Sequence, residues 1–522
     1  MSKADAFLSL ARARWKQAEE ADQPQKEREL ADLKFYAGEQ WPDAIVAARA
    51  GQGPNPISGM PAVPARPCLT INKVREPVRQ VLNQERQADM GIELVPADDF
   101  AGLLQGRTID HTEIELREGL IRRIQRQSHA ADARTWAFSR AVIAGRGYYG
   151  VLTKWVPGTF DQEIGLQRFY NQSAVLLDPT HEQPDGSDAG WGFVGVDLPM
   201  DEYTAEFGTV PATGRANRVS AASDAEWRTL GDDAPTWFHA DGETKSVRVV
   251  DYYYTVRTPV TLVQGTDGQT YETSTLPPGV AVATDEDGQP ITRRDSRTTV
   301  KWAKIDGCQV LDETDWPGQF IPIVKVTGDE LQPYDRQRRS EGMVRAARDA
   351  QFGFNAMVSK EVELIGLTPL PPLFVEEGSI EGYEDWYQAA NTRTLPYLPY
   401  KRTNLDGQPA NPPSTVMRQA QIGDVVVAVR EFDQAIKSTT GIPDPTLGNV
   451  DPALKSGRAI KALLDQAQRG TSNYLDNLRR SIGYEAQILN DLLEPIYGRR
   501  PGRLLRLVNS EGEVEAALVN QP

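Results

Sequence analysis

The residues able to do chemistry are sparse, and their spacing argues against most chemistry. Gly145, Gly147 and Gly150 spell Gly-x-Gly-x-x-Gly, the phosphate-binding fingerprint of dinucleotide folds. That fingerprint works after a strand and before a helix, where pyrophosphate meets the N–H groups of a helix N-terminus. Here a helical pattern (ARTWAFSRAVIA) precedes it and a β-pattern (YYGVLTKWV) follows. The order is reversed, so the glycines read as a helix C-cap running into a strand. The acidic runs Asp98-Asp99 and Asp285-Glu286-Asp287 carry metal-ligand atoms, but each lies beside turn residues and reads as a solvated loop. The four histidines, His111, His129, His181 and His239, are scattered, and Cys68 and Cys308 make neither a disulfide framework nor a zinc pattern. The two cysteines read as buried reduced thiols. No GxxxxGK[ST], GxSxG, HExxH or CxxC occurs. No metal site and no cofactor are expected, and a packaging ATPase or nuclease is disfavoured.

Basic and aromatic groups remain. Lys437, Lys455, Arg458 and Lys461 surround the Pro/Gly-rich loop GIPDPTLGNVDPALKSG. They form either a solvated basic face or a contact for a polyanion. Between Leu370 and Pro413 the chain is rich in proline and in Phe374, Tyr383, Trp386, Tyr387, Tyr397 and Tyr400. Tyr383, Trp386 and Tyr387 either make a small core or face a partner, where Trp and Tyr are favoured anchors.

The elements that must position these groups follow from patterning. A chain of 522 residues has length for about three or four compact units. With 39% hydrophobic and 25% charged residues it can bury a core. No apolar run approaches the roughly 20 residues of a membrane helix, and MSKADAFLSLARARWK has no apolar signal core, which points to synthesis and retention in the cytoplasm or in something assembled there. A net charge of -16 makes tight duplex binding unfavourable, since such binding gains from phosphate neutralisation. It does not exclude a protein that DNA passes without sticking, because like charge disfavours adhesion and a local basic ring could sit in an acidic whole.

The first ~130 residues read as helical. Phe7, Leu10, Ala11 and Trp15 share a face, and a second, charged helix runs from about Gln25 to Tyr36, capped by Gly38. INKVREPVRQVLNQERQ is a helix with Asn72 as N-cap and Pro77 in its first turn. GIELVPA is a short strand. Thr108 to Ile143 is helical again, with Ile109, Leu116, Leu120, Ile124, Trp136 and Ile143 inward. From Tyr148 to Thr327 the pattern turns β-branched and aromatic, punctuated by Asp267-Gly268, Asp287-Gly288 and Asp306-Gly307. The last of these predicts a hairpin between TTVKWAKI and CQVLDET. Asp201 to Phe207 and Ala222 to Leu230 read as short helices. Ser340 to Ile365 and Ser414 to Thr440 are helices flanking the proline/aromatic segment. Arg458 to Tyr497 sustains a helical stripe on the order of 60 Å long, with Gly470 and Gly483 as points where it could bend.

In this order the segments resemble the portal proteins of tailed bacteriophages, of the podovirus type. The likeness is carried by FYAGEQW, RPCLTINKVREPVRQVLNQERQ, AGRGYYGVLTKW, GQFIPIVKVTGD running into EGMVRAARDAQFGFNAMVSKEVEL, LPPLFVEEGSIEGYEDWY, and TTGIPDPTLGNVDPALKSGRAIKALLDQAQRG with the helix behind it. The resemblance implies an α+β portal fold and one subunit of a dodecameric ring. Its parts would be a helical wing portion (1–147), a β-rich wing (148–339), stem helices (340–366 and 414–440), a small α/β clip (367–413), a tunnel loop (441–457), a long kinked helix (458–498) and a C-terminal β segment (499–522). It places Lys437, Asn449, Lys455, Arg458 and Lys461 at the DNA channel, and Phe374, Tyr383, Trp386, Tyr387, Arg393 and Tyr397 on the docking clip. Implied partners are further copies of the chain, double-stranded DNA without sequence preference, the terminase large subunit, scaffolding and major capsid proteins, and a head-completion or tail adaptor. The implied place is the portal vertex of a virion assembled in host cytoplasm, with no membrane and no enzymatic turnover. The alternatives are another virion neck or adaptor ring protein and, less favoured, a nucleic-acid-processing enzyme. Portals of this type continue into a crown or barrel, whereas LVNSEGEVEAALVNQP reads as a β-hairpin turning at Glu511-Gly512.

Overall fold

The computed structural model describes residues 3–51, 65–88, 90–95, 111–208, 218–219, 246–266, 268–274, 276–277, 279–285, 288–306, 309–331, 339–367, 373–375, 378–389, 397–403, 409, 411–415, 422–442, 471–498, 503–508 and 514–519. Its helices are α1 (Lys3–Ala37), α2 (Asp43–Arg49), α3 (Arg75–Gln87), α4 (His111–Gln127), α5 (Ala130–Ala144), α6 (Met200–Phe207), α7 (Met343–Leu367), α8 (Glu384–Ala389), α9 (Ile422–Thr440) and α10 (Ser472–Tyr497). Its strands are β1 (Arg146–Trp155), β2 (Gln162–Arg168), β3 (Val175–Leu177), β4 (Trp191–Pro199), β5 (Arg218–Val219), β6 (Ser246–Gln264), β7 (Thr270–Glu272), β8 (Thr292–Ile305), β9 (Val310–Asp315), β10 (Ile323–Thr327), β11 (Asp329–Leu331), β12 (Arg339–Glu341), β13 (Leu373–Phe374), β14 (Ser414–Thr415), β15 (Arg503–Val508) and β16 (Val514–Val519). The fold is α+β, as expected. It divides into two compact units rather than three or four: residues 1–34, 76–345 and 444–522, and residues 35–75 and 346–443. Fewer units result because most of α1, with α3, the β-rich middle and α10, falls in the first.

In the first unit an antiparallel sheet runs β3-β4-β6-β8-β9, and a three-stranded sheet runs β10-β1-β2. The hairpin predicted at Asp306 exists, pairing β8 with β9. Aromatic alternation on β6 fills both faces of the larger sheet. Tyr252 stacks on Phe193 at 4.4 Å, in a cluster closed by Leu8, Ala11 and Trp15 of α1. Tyr253 faces the other way, with Val300, Ile321 and Ile323.

The charged stretch from Gln25 is not a separate helix. It continues α1 straight through Pro24. Pro24 removes a ladder hydrogen bond, and ion pairs on both sides of it hold the helix in line. Arg146 donates to Glu29 and, at 2.9 Å, to Asp22, and Arg345 donates to Asp32 at 3.0 Å. Asn72 does not cap α3. Its amide donates to the Tyr36 carbonyl at 2.8 Å, and the helix starts at Arg75 with Pro77 in the first turn, as expected. GIELV forms no strand; it is tied by the Leu94 N–H to Glu118 at 2.9 Å. The helical stretch after it is broken at His129, whose left-handed φ of 51° separates α4 from α5. Leu120, Ile124 and Ile143 are buried, Leu116 and Trp136 half-buried, and Ile109 lies outside the described residues.

The glycine fingerprint has the reversed order expected. Gly145 caps α5 at φ 110° and β1 follows. A Cβ on Gly147 would sit 2.0 Å from the Ala137 carbonyl oxygen, so this glycine serves helix–strand contact. α6 matches the predicted Asp201 to Phe207 helix, whereas Ala222 to Leu230 falls outside the described residues.

α10 buries Tyr474, Leu478, Ile482, Leu489, Leu492, Leu493 and Ile496 within the first unit. Its apolar stripe is therefore covered by its own chain. Gly483 lies exposed in mid-helix, and Gly470 is outside the described residues. β15 and β16 form the expected antiparallel hairpin; its turn is not among the described residues.

Candidate functional site

The second unit contains the segments expected to do the docking. Its organising element is α7 from Ala346 onward. One face of that helix repeats polar residues every fourth position, Gln351, Asn355, Ser359 and Glu363, and all are buried. They read an extended strand of backbone. The Lys73 N–H donates to Gln351 Oε1 at 2.8 Å, the Ile71 N–H to Asn355 Oδ1 at 3.0 Å, and the Leu69 N–H to Ser359 Oγ at 2.9 Å. The match is one of periods. Four helical residues rise about 6.0 Å, and two extended residues about 6.6 Å. Glu363 closes the ladder by accepting Arg49 at 3.2 Å, with Arg66 at 3.6 Å and Lys360 at 3.5 Å. Gln40 joins by accepting the Asn355 amide at 2.6 Å. Sequence reading missed this ladder; the signal was the i, i+4 polar spacing in QFGFNAMVSKEVE. Cys68 lies in the captured strand, half-buried rather than buried, and Cys308 is outside the described residues.

α9 is shorter than expected. It begins at Ile422, and Ser414 and Thr415 form β14 instead, paired with β13. Phe432 of α9 covers Gly353 of α7, where an added Cβ would lie 2.4 Å from the ring. In the last turn of α9, Lys437 donates to Asp433 Oδ2 at 2.6 Å, and Lys73 stands 3.4 Å from the other carboxylate oxygen. Burial raises the Asp433 pKa, but the two lysines outweigh it and hold it below the ordinary carboxylate value. Lys437 also suits the negative end of the helix dipole. Gly441 ends α9 at φ 69°, and Ile442 is buried. Asn449, Lys455, Arg458 and Lys461 lie outside the described residues.

Between the helices, α8 carries the aromatic set. Tyr387 is tied inward, donating to the Pro399 carbonyl at 3.0 Å. Tyr383 is half-buried. Trp386 stacks on Tyr397 at 5.9 Å with planes 26° apart, yet both remain 40% and 66% exposed. Phe374 on β13 is 58% exposed. Of the two sequence readings, an inward core describes Tyr387, and an outward apolar surface describes Phe374, Trp386 and Tyr397. Arg393 is outside the described residues. On α7, Val362 and Ile365 face solvent, as does Val427 of α9.

Among the described residues no group of His, Cys, Asp and Glu could hold a metal ion, and no helix is long and apolar enough to cross a membrane. The Asp285 carboxylate accepts the Gln289 N–H at 2.8 Å, a loop role.

The sequence profile described as "Phage P22-like portal protein" matches residues 12–522. The chain belongs to that family. A curated relative, the portal protein of Acyrthosiphon pisum secondary endosymbiont phage 1, is 23% identical over 477 residues, covering 87% of this chain and 61% of the relative. The chain thus spans about three fifths of that relative's length. A solved chain from the virion of a native gene transfer agent particle matches at 17% identity and TM-score 0.22, covering 47% of this chain and 65% of that one. The family is one of virion structural proteins, not enzymes.

Proposed function

We propose that this chain is one subunit of a portal ring set at a capsid vertex, through which double-stranded DNA enters during packaging and leaves on ejection. The observation that carries the reading is the family match over nearly the whole chain. The second unit supports it. Two helices, α7 and α9, bracket a small α/β segment whose Phe374, Trp386 and Tyr397 face solvent. In this reading α7 and α9 are the stem and residues 367–413 the clip. The clip docks the terminase large subunit and later a head-completion or tail adaptor. The exposed Val362, Ile365 and Val427 meet neighbouring subunits, because head-to-tail contacts that close make rings. Residues 1–147 and 148–339 form the wing and meet scaffolding and capsid proteins. Residues 441–457 form the tunnel loop, and Lys455 within it and Arg458 just after it touch phosphates without reading sequence.

Electron microscopy and native mass spectrometry of the purified chain test the ring, with twelve subunits expected; a persistent monomer would overturn it. The channel assignment is tested by the double variant Lys455→Ala/Arg458→Ala. Rings should assemble normally while packaged or retained DNA falls by about tenfold, on the scale that losing a few phosphate contacts costs. Unchanged packaging would remove these residues from the channel.

A further inference from the structure

β6 and β8 are longer than the sheet that holds them. They pair from Val250↔Ile305 to Val263↔Thr292. Their neighbours stop early: β4 reaches only Tyr254, and β9 only Lys301. From Val256↔Thr299 outward the two strands run as a ribbon, joined only near its end by β7. The ribbon spans about 25 Å at the usual strand rise. A two-stranded ribbon is marginal in water by itself, so a surface that covers it would stabilise it.

The ribbon is cationic in an acidic chain. Arg257 pairs across with Thr298, and Thr261 with Arg294, so Arg257 and Arg294 share one face. Both are exposed, and neither has a carboxylate partner among the described residues. On the other face Arg293 donates to Asp295 at 2.6 Å, and Arg297 stands 3.9 Å from Glu272. The turn closing the ribbon carries Asp267, Asp285, Glu286 and Asp287 in sequence. Charge that changes sign along the arm fits a protein surface better than the uniformly negative backbone of a nucleic acid.

The same sheet offers the complementary surface. Its edge strand β9 exposes Asp312, Glu313 and Asp315. Asp315 meets Lys301 at 3.0 Å and Glu313 accepts the Tyr254 hydroxyl at 3.2 Å, while Asp312 makes no ion pair among the described residues. Acidic side chains protect an edge from random pairing, and they also select a cationic partner.

We propose that the β6–β8 arm of one copy seats its Arg257/Arg294 face on the acidic β9 edge of the next copy. This inference rests on the ring reading above. Arm and edge are different patches of one chain, so the contact is heterologous and repeats around a closed ring.

A charge swap tests it. Arg257→Glu/Arg294→Glu makes the arm acidic, and Asp312→Lys/Glu313→Lys makes the edge basic. Each variant alone opposes like charges and should lower the ring fraction by about tenfold, as like-charge juxtaposition does. Mixed one to one, the two should recover rings, because each acidic arm then meets a basic edge and each basic arm an acidic one. Native mass spectrometry reads the outcome, and circular dichroism melting shows that each variant is folded. Recovery on mixing separates a lost contact from a lost fold. Rings from both single variants at wild-type yield would overturn the arm contact and leave the portal reading standing, as would folded variants that fail to recover on mixing. So would an arm variant that assembles normally but loses binding to a duplex oligonucleotide. A wild-type chain that never leaves the monomer would overturn both.

Discussion

Glu485 is a fully buried acid of the first unit and was not singled out from sequence. It lies fully buried in the middle of α10, where Arg134 of α5 donates to it from Nε at 2.8 Å and from Nη2 at 2.6 Å. Tyr149 of β1 donates its hydroxyl to the same carboxylate at 2.8 Å. A charge so placed must be paired and hydrogen-bonded to be tolerable. The cost appears on the tyrosine. Burial, and then the neighbouring Glu485 charge, push the Tyr149 hydroxyl well above the usual phenol value. A folded-state pKa raised above the unfolded one favours the protonated form in the fold. The stabilisation is therefore complete below the ordinary phenol value, and it is lost as pH climbs from there toward the folded value. The denaturation midpoint of the first unit should fall between about pH 9 and about pH 11, where exposed phenols begin to ionise. Tyr149→Phe removes that titration and should flatten part of the fall, the remainder coming from Tyr148 and Tyr253, which are also raised by burial. Denaturant melts of both proteins across that range check it. Parallel curves would show that this hydroxyl does not set the alkaline limit.

At the scale of elements, α7 departs furthest from what an amphipathic helix usually does. Its buried side holds amides, a hydroxyl and a carboxylate, and these act as the partner strand for residues 69–73. Asn355→Leu should leave the Ile71 N–H without its acceptor and cost about 1–3 kcal/mol, the range for a stranded buried donor. Hydrogen exchange offers the direct readout. The amides of Leu69, Ile71 and Lys73 should lose protection together, while those of β1 and β10 keep theirs; unchanged protection at Ile71 would remove the ladder as the clamp. This element also shows what could be read from sequence. Apolar periodicity found α3, α7, α9, α10 and the paired strands of the β-rich middle, because burial of apolar side chains leaves a period. Polar burial leaves none that hydrophobicity registers. Hence the Gln351 ladder went unseen, and the charged half of α1 read as a separate helix although Glu29 and Asp32 lock it into the first unit. Asn72 looked like a cap because its type suits one, and a longer-range acceptor, the Tyr36 carbonyl, claimed it instead.

For the whole molecule, the question is where a portal subunit keeps its outward-facing apolar surface. The stripe of α10 is satisfied internally, so its apolar face is not the place. In the proposed reading that surface is the exposed apolar residues of the second unit. Phe374, Trp386 and Tyr397 sit on a segment whose backbone is held independently of them. The Lys401 N–H donates to the Ser379 carbonyl at 2.7 Å, Lys401 reaches Glu381 at 2.8 Å, and Tyr387 anchors on Pro399. Removing an outward ring should therefore spare the segment's fold. In Trp386→Ala the stack with Tyr397 is lost, while the hydrogen bonds named above involve neither ring. A stacked, half-exposed Trp–Tyr pair is the kind of rigid anchor that dominates interface energies, and its truncation costs about 2 kcal/mol or more at a docking site. Trp386→Ala should thus weaken binding of the ring to the terminase large subunit by roughly thirtyfold, measured by titration of labelled terminase, with ring mass and melting temperature unchanged. Tyr387→Phe serves as the contrast. It breaks the inward hydrogen bond and should lower the melting temperature while leaving the outward surface in place. Equal loss of terminase binding in both variants would mean that the segment's fold is read by the partner, and not the Trp386–Tyr397 face.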